Sequence, residues 1–342
     1  NYLGVSDKDV ANTLSEWGYP KYRVKQIREW VYERNVLDPT SMKDLPHSLR
    51  DKLSAYYSFG TLQTETELIS ARDGTVKRLY RLRDNSFIES VLMPYEDNRQ
   101  TACVSSQVGC AMNCSFCATG QMGFGRQLSD VEIFEQTLLF SSALRAQRKR
   151  LSNVVFMGMG EPLNNYKNVM KAVRRMNSEL GIGSRHITIS TVGIVPRIRQ
   201  LAEENLQCGL AVSLHHVNNT LRSALMPVND KYPIESVLEA CVHYINKTKR
   251  RISFEWALVS GVTDTYSVAC DLGSMLKGML CHVNLIPLNP TKEFKGEPST
   301  RGTAEIFVKT LASYGVKATI RVRRGIDINA GCGQLASELK SK

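Results

Sequence analysis

From residue 99 onward, short runs rich in strand-forming residues alternate six times with longer runs of helical periodicity. Strands are expected at Thr101 to Ser105, Asn153 to Met157, His186 to Ser190, Cys208 to Leu214, Ile252 to Leu258 and His282 to Pro287. Between them lie helical segments near 129–147, 166–179, 195–204, 234–247, 265–278 and 301–314. The first opens on Ser129-Asp130-Val131-Glu132, a capping-box pattern, with Phe134 and Leu138 on the face of Val131. Six βα units in succession require a parallel α/β sheet with helices outside it. Periodicity leaves both an open doubly wound sheet and a partial barrel available. In either, functional groups belong just beyond the C-terminal ends of the strands.

The chain before residue 99 follows a different pattern. Apolar positions recur at helical spacing through Val24, Ile27, Trp30 and Val31, and Pro46 separates a second helical segment ending near Tyr57. From about Thr61 to Met93 the sequence turns β-like, with Val76 to Leu82 and Phe87 to Met93 flanking the turn Arg83-Asp84-Asn85-Ser86. The expected organisation is a helical domain over 1–62, a β-hairpin extension over 63–98, the βα domain over 99–325 and a tail over 326–342.

No stretch approaches the roughly 18 apolar residues that cross a bilayer, and no signal-peptide pattern opens the chain, so a soluble, non-membrane protein of a reducing interior is expected. The cytoplasm is the expected compartment, or an organelle interior if a transit peptide has been removed, since the chain begins at Asn1. Lys and Arg exceed Asp and Glu by 44 to 33, with clusters at Arg145 to Arg150, Lys171 to Arg175, Lys247 to Arg251 and Arg321 to Arg324. Single clusters of this kind also complement helix dipoles, but together they favour a nucleic-acid partner. Nine cysteines, an odd number at irregular spacing, argue against a secreted disulfide framework.

Directly after the first strand of the repeating region stands Cys110-Ala-Met-Asn-Cys114-Ser-Phe-Cys117. Three thiolates around one tight loop can hold a 4Fe-4S cube while leaving one iron open to a substrate. A structural zinc site wants four ligands, and apart from Cys103 no neighbouring Cys or His supplies the fourth. This triplet, with Phe116 before its last cysteine, resembles the signature of the radical S-adenosylmethionine superfamily. Gly158-Met159-Gly160-Glu161-Pro162 resembles the segment that receives the methionyl amino group, and glycines with a carboxylate suit an approaching ammonium.

Further motifs narrow the likeness. Cys103-Val-Ser-Ser-Gln-Val-Gly-Cys110, Ile187-Thr-Ile-Ser190-Thr, Ser213-Leu-His215, Asn284-Leu-Ile-Pro-Leu-Asn289 and Asp327-Ile-Asn-Ala-Gly-Cys332-Gly-Gln-Leu335 together resemble the RlmN/Cfr family of RNA adenine methyltransferases, more the RlmN type. Gly18-Tyr-Pro-Lys-Tyr-Arg in the leading domain extends the resemblance over nearly the whole chain. It implies a partial (β/α)6 TIM-like barrel. It implies Cys110, Cys114 and Cys117 as cluster ligands, and Gly160, Glu161, Ser190, Ser213, Leu214, His215 and Asn289 as S-adenosylmethionine contacts. Cys332 would carry a methyl group from one of two S-adenosylmethionine molecules per turnover, Cys103 would form a transient disulfide with it, and Glu89 would remove a proton from the base. Lys21, Arg23, Lys25 and Arg28 would contact phosphates.

The activity so implied is methylation of carbon 2 of an adenosine in 23S rRNA and in tRNA, by a monomer reduced by flavodoxin or ferredoxin. A Cfr-like carbon-8 enzyme, another radical enzyme such as a glycyl-radical activase, and a non-catalytic iron–sulfur RNA-binding or assembly factor are the alternatives. One departure from the family pattern is His216-Val217 where most relatives have Ala-Pro.

Overall fold

A computed structural model describes residues 1–336 apart from 35, 205 and 290. Of the expected tail over 326–342, the part over 337–342 lies outside the described residues. Ten strands form one sheet and two more form a separate ribbon. In chain order the strands are β1 (Gln63–Ile69), β2 (Val76–Arg81), β3 (Phe87–Pro94), β4 (Gln100–Cys103), β5 (Gln107–Gly109), β6 (Phe124–Gln127), β7 (Asn153–Phe156), β8 (Ile187–Thr191), β9 (Gly209–Ser213), β10 (Ile252–Leu258), β11 (Cys281–Pro287) and β12 (Ala318–Ile320).

The large sheet runs β1-β2-β3-β4-β7-β8-β9-β10-β11-β12, antiparallel as far as β4 and parallel from there. This order decides between the two architectures that periodicity left available. A doubly wound sheet reverses its strand order at a switch point, whereas here each parallel strand lies beside its predecessor without reversal. Right-handed crossovers then place every helix on one side, and the sheet curls away from them into a partial barrel. The helices Asp130–Ala146, Tyr166–Leu180, Val195–Ala202, Ile234–Thr248, Tyr266–Leu276 and Arg301–Ser313 match the expected segments closely. The capping box is present: Glu132 N–H donates to Ser129 Oγ at 3.2 Å and Ser129 N–H to Glu132 Oε2 at 2.8 Å.

The expected two-stranded hairpin is a three-stranded meander that continues the barrel sheet, with Val91 opposite Cys103. β1 adds an edge whose Glu65 and Glu67 pair with Arg81 and Arg78, both at 2.6 Å. Its charge and exposure give it little apolar alternation. Short elements were also missed, the ribbon β5–β6, the strand β12 and the helices Ala118–Gln121 and Asn219–Leu225, because three to seven residues carry no readable period.

Beyond β12 the chain crosses to the meander and ties the open side of the barrel. Arg324 donates to Pro94 O at 2.8 Å, Gly325 N–H to Asp73 at 3.0 Å, and Ser70 Oγ–H to Asp327 at 2.7 Å. The leading helical domain docks through Arg145, which donates to Tyr32 O, and through buried Glu135, which accepts from Thr61 and Leu62. Among the described residues no helix is long and apolar enough to cross a membrane.

Candidate active site

Along each parallel strand, side chains alternate between an outer face against the helices and an inner face lining the barrel. On β10, Phe254, Trp256 and Leu258 are fully buried outside, while Ser253, Glu255 and Ala257 line cavities inside. Two cavities result. One, at the C-terminal strand edge, encloses about 840 Å³ measured to its mouth and is lined by Phe116, Cys117, Met157, Gly158, Gly160, Glu161, Ser190, Ser213, His215, Asn289 and Cys332. The other, about 1300 Å³, runs down the bore past Cys103, Thr101, Asn153, Thr188, Ser253 and Asn284, and its rim carries Arg99, Arg321, Arg323 and Arg324.

The cysteine loop hangs at the first cavity. Cys110 N–H donates to Gly123 O at 2.8 Å, Cys117 N–H to Cys114 O at 3.1 Å, and Ser115 N–H to Leu225 O at 3.0 Å, so backbone bonds fix the loop. Cys110 and Cys114 each feel the Cys117 thiol electrostatically. Burial pushes the Cys110 thiol up to about 12 and Cys114 upward too, so ligation there must release protons. Among the described residues no set of three or more Cys, His, Asp or Glu converges to hold one metal ion. Three thiols on one backbone-fixed loop are the donor set of a 4Fe-4S cube with one iron left open.

A buried cation, missed in the sequence, stands beside this loop. Arg222 is wholly enclosed and donates to Leu214 O at 2.9 Å, Val192 O at 2.9 Å, Ser213 O at 3.1 Å and Asn229 Oδ1 at 2.7 Å. It binds the ends of β8 and β9 together, and its charge pulls against the upward shift of Cys114. Burial lowers its own pKa to about 10. Nothing in its short helix distinguishes it from a surface arginine.

The glycine-rich segment after β7 reaches the cavity because its backbone crowds its neighbours. A Cβ on Gly158 would stand 2.7 Å from Val104 O, and Gly160, at φ +98°, would meet Gln107 at 2.5 Å. Glu161 accepts from Leu163 N–H at 2.9 Å and Val192 N–H at 2.8 Å, yet burial raises its carboxyl to about 7. His215, at φ +59°, accepts from Ala257 N–H at Nδ1 (2.9 Å), so its proton sits on Nε2, and burial lowers it to about 3. Its ring meets the edge of Phe116 at 4.8 Å. Asn289 donates to Cys332 O at 3.0 Å, and its Oδ1 is buried without a partner among the described residues. An acceptor orphaned in this way suits a ligand amine, and the cavity lining therefore fits S-adenosylmethionine.

Six of the seven expected cofactor positions line this cavity. Leu214 does not, because alternation turns its fully buried side chain to the face opposite Ser213 and His215. His216 fills the departure from the family pattern by accepting from Val217 N–H and Asn218 N–H, at 3.0 and 3.1 Å, and so holds the loop.

Cys332 borders both cavities: its side chain is accessible, but to the cleft and not to the outer surface. Protein around it and Glu255 push its thiol upward, while Arg321 opposes them. Cys103 is buried in the bore and raised further by Cys332. Both are free thiols, and no disulfide joins them. Glu89 lies apart from both cavities. It pairs with Lys77 at 3.0 Å, accepts from Ala336 N–H at 2.9 Å, and opens on a third cavity across the tail. Of the expected phosphate contacts, Lys21 and Lys25 are exposed, but Arg28 is bound to Asp7 at 2.7 Å and Arg23 to Gln26 at 2.6 Å. Those two arginines are turned to the protein by nearby acceptors.

A partial barrel with three thiols on the loop after its first parallel strand, above a glycine- and glutamate-lined cleft, defines a radical S-adenosylmethionine enzyme, which uses a 4Fe-4S cluster and S-adenosylmethionine. The family model of the radical SAM superfamily matches residues 104–266, and that of the ribosomal RNA large subunit methyltransferase N-terminal domain matches residues 1–58. Proteins described as probable dual-specificity RNA methyltransferase RlmN from Dictyoglomus thermophilum and Clostridium perfringens are each 46% identical over 345 residues, covering 100% of this chain and 98% of theirs. Dual-specificity RNA methyltransferase RlmN 1 from Myxococcus xanthus is 46% identical over 344 residues, covering 100% and 96%. The crystal structure of a radical SAM methyltransferase from Sphaerobacter thermophilus superposes with a TM-score of 0.94 at 42% identity, over 98% of this chain and 99% of that one. This chain belongs to the RlmN family of radical SAM RNA methyltransferases.

Proposed function

We propose that the protein methylates carbon 2 of an adenosine in 23S rRNA and in tRNA, with Cys332 as the methyl carrier. The observation that carries this reading is the position of Cys332 in the wall shared by the cofactor cleft and the arginine-rimmed bore, with Cys103 facing it. When bound through Cys110, Cys114 and Cys117, the cluster supplies the electron that cleaves S-adenosylmethionine reductively. Glu161, Ser190, Ser213, His215 and Asn289 would hold the cofactor beside Cys332, whose sulfur accepts a methyl group from one S-adenosylmethionine with release of S-adenosylhomocysteine; cleavage of a second would remove one hydrogen from that methyl, so that its carbon bonds to the base. Cys103 attacks the Cys332 sulfur to free the methylated product, leaving a disulfide to be reduced. Glu89 takes the proton of the ring carbon. Reaching the base requires the bond from Ala336 N–H to the Glu89 carboxylate to open. Lys21, Lys25, Arg321 and Arg323 contact phosphates without reading sequence. The protein acts in the cytoplasm as a monomer reduced by a flavodoxin or ferredoxin.

The test is a single turnover of the anaerobically reconstituted protein with RNA. Cys103→Ala is expected to accumulate a covalent protein–RNA adduct seen by denaturing electrophoresis. Free methylated RNA without adduct would overturn the role of Cys103, and 8-methyladenosine in the digested product would overturn the carbon-2 assignment.

A further inference from the structure

The inner face of the barrel carries a polar pair with no part in the reading above. Glu255 is buried on β10 and borders both cavities. Asn284, its register partner on β11, donates Nδ2–H to Glu255 Oε1 at 2.8 Å. That bond leaves Glu255 Oε2 and Asn284 Oδ1 without a hydrogen-bond donor among the described residues, while burial raises the Glu255 carboxyl and the Arg321 charge favours its ionised form. Cys332 shares this wall and feels the Glu255 carboxyl directly. On the methyltransferase reading, on which this inference rests, the target base must come within bonding distance of the carbon carried by Cys332. A base placed there also lies against Glu255 and Asn284.

We propose that Glu255 and Asn284 select adenine by accepting the N–H of its exocyclic amine. Two acceptor oxygens meet a donor on adenine, whereas a guanine or hypoxanthine ring in the same pose would set its carbonyl oxygen against them. A buried acceptor facing another acceptor is strongly disfavoured, so such a pair discriminates more by rejecting the wrong base than by holding the right one. The bore has the matching shape of environment: hydroxyls and amides of Thr101, Thr188 and Asn153 lie deeper, and the arginine rim is set for a polyanionic backbone.

Asn284 makes the pair testable by a reversal. It holds the Oε1 position as an acceptor, so Glu255→Gln places an NH₂ donor where Oε2 stands. That donor opposes the adenine amine and welcomes a carbonyl. The experiment compares kcat/KM on RNA carrying adenosine or inosine at the target position, each rate taken per molecule of enzyme whose Cys332 is methylated by intact-protein mass spectrometry. The adenosine-to-inosine ratio is expected to fall about 100-fold in Glu255→Gln relative to wild type. Asn284→Ala, which frees the carboxyl to turn, is expected to lower it about tenfold. A ratio unchanged in both variants would overturn the assignment, as would a loss of rate explained wholly by less methylated Cys332, since Glu255 would then serve the thiol and not the base. Failure of the wild-type enzyme to methylate either RNA would overturn the methyltransferase reading, and with it this pair, before any variant is compared.

Discussion

The two faces of β10 obey different rules although they alternate along seven residues. Outside, Phe254, Trp256 and Leu258 have no exposed surface and pack against helices, with Trp256 6.1 Å from Phe307 between ring centres. Inside, Ser253, Glu255 and Ala257 face cavities. The outer face holds the barrel together and is free of chemistry. The inner face is freed from packing, so it can carry polar groups that a filled core would exclude. Stability and activity are thus assigned to opposite sides of one sheet.

The sharpest test of that division is at Cys332. Cys332→Ala should abolish methyl transfer, by more than about 10³-fold, while leaving the melting temperature within a degree or two, because the side chain faces a cleft and fills no core. A large drop in melting temperature would break the comparison. On the outer face, Trp256→Ala should cost about 3–5 kcal/mol of stability in chemical denaturation, with activity lost in step with folding. Activity lost by a protein still folded would count equally against the division.

A smaller effect comes from Glu161. Burial raises its carboxyl to about 7, so the neutral form prevails below that pH and the ionised form above it. An ammonium is held by the ionised form. S-adenosylmethionine should therefore bind more tightly as pH rises through about 7, by up to about tenfold per unit below it, in calorimetric titration. The ligand-free protein should show the opposite slope, because a carboxyl whose folded pKa is raised contributes stability at low pH that is lost as pH rises through the folded value. Smallest is the rim. Arg323→Ala should weaken RNA binding a few-fold, lower the salt slope by about 1, and do so equally for all sequences.

Much of this fold was legible from periodicity, since six of the seven parallel strands alternate with helices long enough to show a period and β12 alone does not stand out. The alternation also held a message that was not taken up. In His282-Val283-Asn284-Leu285, polar and apolar residues alternate, whereas a parallel strand covered on both faces reads as a continuous apolar run. That pattern marks a sheet with a polar interior and singles out Asn284. The cysteine loop was readable because its ligands are close in sequence. Arg222 and Glu255 were not, because their significance comes from what long-range packing sets around them. Arg28 shows the same limit: its charge is visible in the sequence, but its partner Asp7 is brought to it only by the turn between two helices.

The seam that ties the barrel's open side also sets an order in time. Ser70, Asp73 and Lys77 receive the segment that follows β12, with Lys77 donating to Asn329 O at 3.2 Å, and Cys332 comes after that crossing. During translation the cysteine loop and the cleft residues as far as Asn289 are made before Cys332, the proposed methyl carrier. The same segment that ties the barrel therefore also completes the walls of both cavities, with Ala330, Gly331, Cys332 and Leu335 lining the bore and Cys332 and Gly333 the cleft.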